Sequence, residues 1–158
     1  LTGWRVGWLT GRSTLLKPIN LLHGFMSFCA PRPLQIGIAK ALKDVKLKTY
    51  LDEVCGLMEG NARLLAESFQ KNIGVKTYPT DGGYFLVVDC SPLDMQDKDF
   101  LADLALRCGI VGVPMRLMYN QNEGKELDCK LTRFAICKDR NTIMEAVNRL
   151  QKWHTDKN

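Results

Sequence analysis

No two cysteines in this 158-residue chain stand at C-x-x-C spacing. The six (Cys29, Cys55, Cys90, Cys108, Cys129 and Cys137) are scattered, and the two histidines, His23 and His154, lie far from any such pairing. A zinc site draws its ligands from short paired spacings, so no metal is expected. The spread is also too sparse for a small secreted disulfide framework, and free thiols in a reducing compartment, the cytoplasm or the mitochondrion, are expected. No apolar run approaches the roughly 18 residues of a membrane span. The opening residues show neither the basic n-region nor the small-residue cleavage site of a signal peptide. Charge is nearly balanced, at +5. Its densest cluster, Lys40, Lys43, Lys46 and Lys48, is interrupted by Asp44 and lacks interleaved aromatics, so it reads as a solvated helix end rather than a nucleic-acid surface.

What remains is the usual balance of a soluble globular domain, 46% hydrophobic and 25% charged. The opening "LTGWRVGWLTG" sets Trp4, Val6 and Trp8 on alternating positions around Arg5, which predicts a strand over Leu1–Gly11. Ser13 is positioned to cap a helix through Leu15, Leu16, Ile19 and Leu22, with Pro18 early in it. "FMSFCAPRP" predicts an irregular loop over Phe28–Pro33. A second helix follows over Leu34–Leu42. The stripe Leu51, Val54, Met58, Ala62, Leu65 and Phe69 then predicts a long amphipathic helix ending near Asn72, with Gly74 as its stop.

The second half has a different texture. "VKTYP" and "YFLVVDC" predict strands around the turn "TDGG", and a helix is expected over Asp97–Cys108, ended by Gly109. "IVGVP" is a brief extended segment, "YNQNEGKELD" a polar loop, and "CKLTRFAIC" the last strand. Asp139 or Asn141 caps a C-terminal helix through Ile143, Val147 and Leu150. The order β-β-α-β-loop-β-α is an α+β unit with helices over one sheet face. The first half is one strand and three helices, and it offers that strand no partner.

Two arginines stand out. Arg5 lies inside an apolar stretch, where an unpaired guanidinium is costly to bury. It either reaches solvent or a structural carboxylate at the strand end, or it holds an anion. Arg133 repeats the situation, with Leu131 and Ala135 on its own strand face and Thr132, Phe134 and Ile136 on the other. An exposed edge arginine and an anion clamp both fit that position. Gly82 and Gly83 either make the hairpin turn or let the backbone approach a ligand.

Taken in order, these pieces resemble a family. "LTGWRVG" resembles the tail of the pyridoxal-phosphate attachment signature of class I/II, fold-type I aminotransferases. "GGYFLVVD" resembles the first strand pair of that family's small domain, and "TRFAICKDRNTIMEAVNRLQKW" its last strand and helix. "HGFMSFCAPRPLQIGIAKAL" is most similar to the kynurenine–oxoglutarate aminotransferase (glutamine transaminase K) branch. The resemblance implies the end of a large domain with an interface loop over residues 1–48, a connecting helix over 49–73 and a small domain over 74–158. It places the Schiff-base lysine four residues before Leu1, so the catalytic lysine is not in this chain and the chain alone is expected to be inactive.

By the same resemblance, Arg5 matches the arginine that binds the phosphate of pyridoxal 5'-phosphate. Arg133 matches the arginine that clamps the substrate α-carboxylate. Phe28 matches an aromatic reaching into the partner subunit of a homodimer. Tyr84, with Phe85, matches the substrate entrance. The stretch "NLLHGFMSF" holds no second arginine, and Arg32 lies past it beside Pro33, so aromatic or glutamine-like amino donors are expected rather than aspartate, with a 2-oxo acid as acceptor. "PMRLMY", after Gly112, borders the site. Two alternatives stand beside this reading. A non-enzymatic α+β scaffold module would pair the first strand within the fold and turn both arginines to solvent or local carboxylates. A pyridoxal-phosphate β-lyase would share the same scaffold.

Overall fold

The computed structural model describes residues 2–78, 80–119 and 129–153. The polar loop expected over residues 119–128 lies outside them beyond Tyr119, as do Pro79 and His154. The chain divides into two compact units, Leu1–Asp52 and Glu53–Asn158.

The first unit is helical. A single 3-10 turn, Thr2–Trp4, precedes an irregular stretch, and the strand expected over Leu1–Gly11 is not formed by the described residues. Extended backbone becomes a strand only when a neighbour completes its ladder, and all the described strand pairings lie in the other unit. Arg5 also has φ 53°, a left-handed turn that breaks the alternation at the anomalous residue itself. Helix α1 (Ser13–Met26) starts from Arg12 as its N-cap rather than Ser13, with no side-chain cap bond, and carries Pro18 inside. Helix α2 (Arg32–Ala41) begins two residues earlier than the proline pair suggested, because Pro33 falls in its first turn, where a missing N–H costs nothing. Helix α3 (Leu47–Ile73) runs from the first unit into the second.

The second unit follows the expected order. Strands β1 (Lys76–Tyr78), β2 (Phe85–Asp89), β3 (Val113–Pro114) and β4 (Leu131–Ala135) form an antiparallel sheet in the order β1-β2-β4-β3. Helix α4 (Asp97–Cys108) stops at Gly109, in the left-handed region at φ 62°, whose N–H donates to the Ala105 carbonyl. Gly74 ends α3 in the same way at φ 81°. Of the two candidate caps for α5 (Arg140–Lys152), Asp139 is the one used: its carboxylate accepts from the Thr142 N–H at 2.9 Å.

Period-2 alternation divides the two central strands, except that Asp89 at the end of β2 is also buried. Leu86 and Val88 of β2 and Thr132 and Phe134 of β4 are buried. Leu86, Val88 and Phe134 pack with Leu65, Phe69, Phe100, Leu104 and Leu150 from the helices, and the Phe69 and Phe134 rings lie 4.8 Å apart. The opposite face is only half-covered.

Candidate active site

The half-covered sheet face collects the residues with chemistry. Val87 stands directly opposite Arg133, Phe85 opposite Ala135, Asp89 opposite Leu131, and Val113 opposite Arg133 from the other side. Partners in an antiparallel ladder share a face. Arg133 is therefore flanked across both strands by valines.

Its guanidinium carbon lies 4.2 Å from the centre of the Phe85 ring, a cation–π contact. Its Nε is buried and has no hydrogen-bond partner. Among the described residues no carboxylate pairs with it, although Asp89 stands on the same face. Asp89 is occupied elsewhere, accepting from the Tyr78 hydroxyl at 3.1 Å, the Ser91 N–H at 2.8 Å and the Ser91 hydroxyl. Burial pushes the Asp89 carboxyl up, but the Ser91 and Tyr78 hydrogen bonds and the charge of Lys76 outweigh it and hold the group below its ordinary range. A buried, unsatisfied donor on a cation is rare in native proteins because it costs the full desolvation of that group. The Nε–H is left without the acceptor that such a donor requires.

Two contacts hold this face from its edges. Asp97 is fully buried at the start of α4 and accepts from Arg116 Nε at 2.5 Å, which ties the turn after β3 to that helix. Asn61 of α3, also fully buried, donates through Nδ2 to the carbonyls of Ile136 at 3.1 Å and Lys138 at 2.8 Å, fixing the chain beyond β4. Neither was visible in the sequence, where the partners stand 19 and 75 or more residues apart. Tyr84 adjoins the arginine through Phe85: the two rings are 4.6 Å apart and tilted, and the Tyr84 carbonyl accepts from Ile136 N–H at 3.0 Å.

The sequence-predicted residues thus fall into two groups. Tyr84 and Arg133 come together in the Glu53–Asn158 unit. Arg5 and Phe28 belong to the Leu1–Asp52 unit. Arg5 is exposed and lines a groove of ≈ 580 Å³ with Val6, Trp8, Ile38, Leu42 and Tyr50. Phe28 has φ 64° and is 82% exposed. No residue of α1 is buried, and Leu15, Leu21, Leu22, Phe25 and Met26 are all exposed. Among the described residues no cluster of His, Cys, Asp and Glu could hold a metal, and no helix is long and apolar enough to cross a membrane.

Known proteins resemble this chain in sequence and in fold. The chain is 26% identical to kynurenine–oxoglutarate transaminase 1 of Rattus norvegicus over 96% of its length, which is 40% of that protein. The solved N-succinyldiaminopimelate aminotransferase of Mycobacterium tuberculosis superposes with a TM-score of 0.72 at 26% identity, over 96% of this chain and 38% of that one. A cystalysin from Treponema denticola, solved with pyridoxal 5'-phosphate, shares the fold over 70% of this chain and 27% of its own (TM-score 0.58, 19% identity). The chain thus spans about 40% of the length of the curated relatives it matches. The family described as aminotransferase class I and II matches residues 1–150, and to that family this chain belongs.

Proposed function

We propose that the polypeptide containing these residues is a pyridoxal-phosphate-dependent aminotransferase, and that it moves an amino group from an aromatic or glutamine-like amino acid to a 2-oxo acid. The observation that carries the reading is the buried, unpartnered Nε of Arg133 on its Phe85 shelf. An arginine fork matches a carboxylate, and amino acids and 2-oxo acids share one. Arg133 holds that carboxylate, and Tyr84, its ring against Phe85, takes the substrate-entrance place that the resemblance gives it. The donor set also fits the cofactor: the exposed guanidinium of Arg5 is available to a phosphate. When bound, the cofactor supplies an electron sink, while the protein supplies binding and orientation.

A dimer belongs to the same reading. A second copy covers the apolar face of α1, and Phe28 extends into the partner's site. The exposure of Phe25, Met26 and Phe28, each above 80%, supports it. The resemblance sets the cofactor-anchoring lysine upstream of Leu1, so transamination is expected of the longer polypeptide and not of these 158 residues by themselves. Free thiols at Cys29, Cys55 and Cys137 suit a cytoplasmic protein.

The test is made on the longer polypeptide that carries the lysine. Arg133→Lys should raise KM for aromatic amino donors by about 10- to 100-fold, the worth of a charge-assisted fork. Arg5→Ala should weaken pyridoxal-phosphate binding, followed by the cofactor's visible absorbance. Unchanged KM in the first variant, or no transamination in the parent, would sink the reading.

A further inference from the structure

Arg133 has two ways to lie on its sheet face. Diagonal neighbours in an antiparallel pair stand about 7–8 Å apart, within reach of a long side chain. Leaning one way along β2 brings the guanidinium to Phe85, and leaning the other way brings it to Asp89, two residues beyond Val87 on the same face. An arginine and a carboxylate placed so ordinarily pair. They do not pair here. The guanidinium covers Phe85 instead, and Asp89 takes Tyr78 and Ser91 as its partners.

We infer that Phe85 is a positioning residue: its ring holds Arg133 away from Asp89 in an orientation whose in-plane edge is kept for a singly charged carboxylate. The inference rests on the carboxylate-holding role proposed above for Arg133. With one face of the guanidinium on the ring, the buried Nε remains as an unmet donor at its edge. The residues directly opposite, Val87 and Val113, bring no second positive charge. One cation on a face that also carries the Asp89 carboxylate neutralises a monoanion, whereas a dianion would leave a charge uncompensated. The side chain under the arginine therefore contributes to which anions are accepted, without touching them.

The Nε–Hε resonance of Arg133, assigned by its loss in Arg133→Lys, reports on the site directly in the 158-residue chain. It is titrated with 3-phenylpropionate as the monocarboxylate and with inorganic phosphate as the competitor. Phe85→Tyr, which keeps a ring, should bind 3-phenylpropionate within about twofold of the parent chain. Phe85→Leu should weaken it about 3- to 30-fold, the range of a cation–π contact. Adding Asp89→Asn to Phe85→Leu should recover most of that loss, because the competing carboxylate is gone. A merely structural role for Phe85 would not be rescued by that second change. Where Phe85→Leu loses its dispersed amide spectrum, Phe85→Met takes its place.

Wild-type affinity in Phe85→Leu, or a loss that Asp89→Asn does not relieve, overturns the positioning role while Arg133 remains the clamp. Phosphate binding as tightly as 3-phenylpropionate overturns the monoanion preference. Binding that is indifferent to Arg133→Lys refutes the clamp itself, and this inference with it.

Discussion

Gly112 offers the sharpest test of how the arginine's strand is held. A Cβ placed on it would stand 2.7 Å from Cε1 and 2.9 Å from Cζ of Phe134, and 2.8 Å from Cδ2 of Leu101. Ordinary carbon contacts lie at about 3.5–4.0 Å, so roughly 1 Å must be found. Phe134 cannot readily provide it, being 3% exposed with the Phe69 ring 4.8 Å behind it. Overpacking of this kind costs about 1–3 kcal/mol. The lower chain entropy of alanine in the unfolded state returns about 0.4–1 kcal/mol. Gly112→Ala should therefore lose about 1–2 kcal/mol, and with a typical urea slope of about 1–3 kcal/mol/M its midpoint should fall by roughly 0.5–1.5 M at unchanged slope. Gly56→Ala serves as the opposing control. Gly56 lies inside α3 with nothing within 4 Å of an added Cβ, so helix propensity alone should raise the midpoint, by up to about 1 kcal/mol of stability. Equal midpoints for the parent and Gly112→Ala would show that the gap behind β3 is looser than these distances state. Because Val113 pairs with Arg133, Gly112→Ala should also displace the Arg133 Nε resonance.

Other outcomes follow from the same contacts. Asp97→Ala removes a fully buried carboxylate and leaves its mostly buried partner Arg116 without that ion pair; it should cost about 3–5 kcal/mol in urea unfolding, and a loss below 1 kcal/mol would contradict the tie between α4 and the turn after β3. Burial raises the Cys90 thiol to about 11, and Cys108 and Cys129 are buried too, so a neutral-pH alkylating reagent should modify Cys29, Cys55 and Cys137 in the native chain and leave the other three; peptide mapping checks it, and early labelling of Cys90 would refute it. Asp89 sits below its ordinary value when folded, so the stability it contributes is present above the unfolded value near pH 4 and lost as pH falls through the lower folded one. The stability gap between the parent chain and Asp89→Asn should accordingly narrow in acid-titrated urea melts below about pH 4, and a gap that widens there would reverse the assignment.

Much of the second unit was legible because its signals are local. The 3- and 4-residue spacing from Leu51 to Phe69 marks α3, the glycines at 74 and 109 mark where helices stop, and Asp139 marks where α5 starts. Alternation in "KLTRFAIC" correctly set Arg133 on the face opposite Thr132 and Phe134. The order of motifs was enough to suggest the family. The same local logic misread "LTGWRVGWLTG", since alternation measures a preference for extended backbone and cannot supply the neighbouring strand that makes it one.

Side-chain encounters across the sheet were settled by tertiary structure alone. That Arg133 rests on Phe85 rather than on Asp89, that Asp97 takes Arg116, and that Asn61 reaches the carbonyls of Ile136 and Lys138 all depend on strand register and helix placement. A sequence lists the donors and acceptors. Which of them remains unmet, as Arg133 Nε does, is decided only when every competing partner has been placed in space.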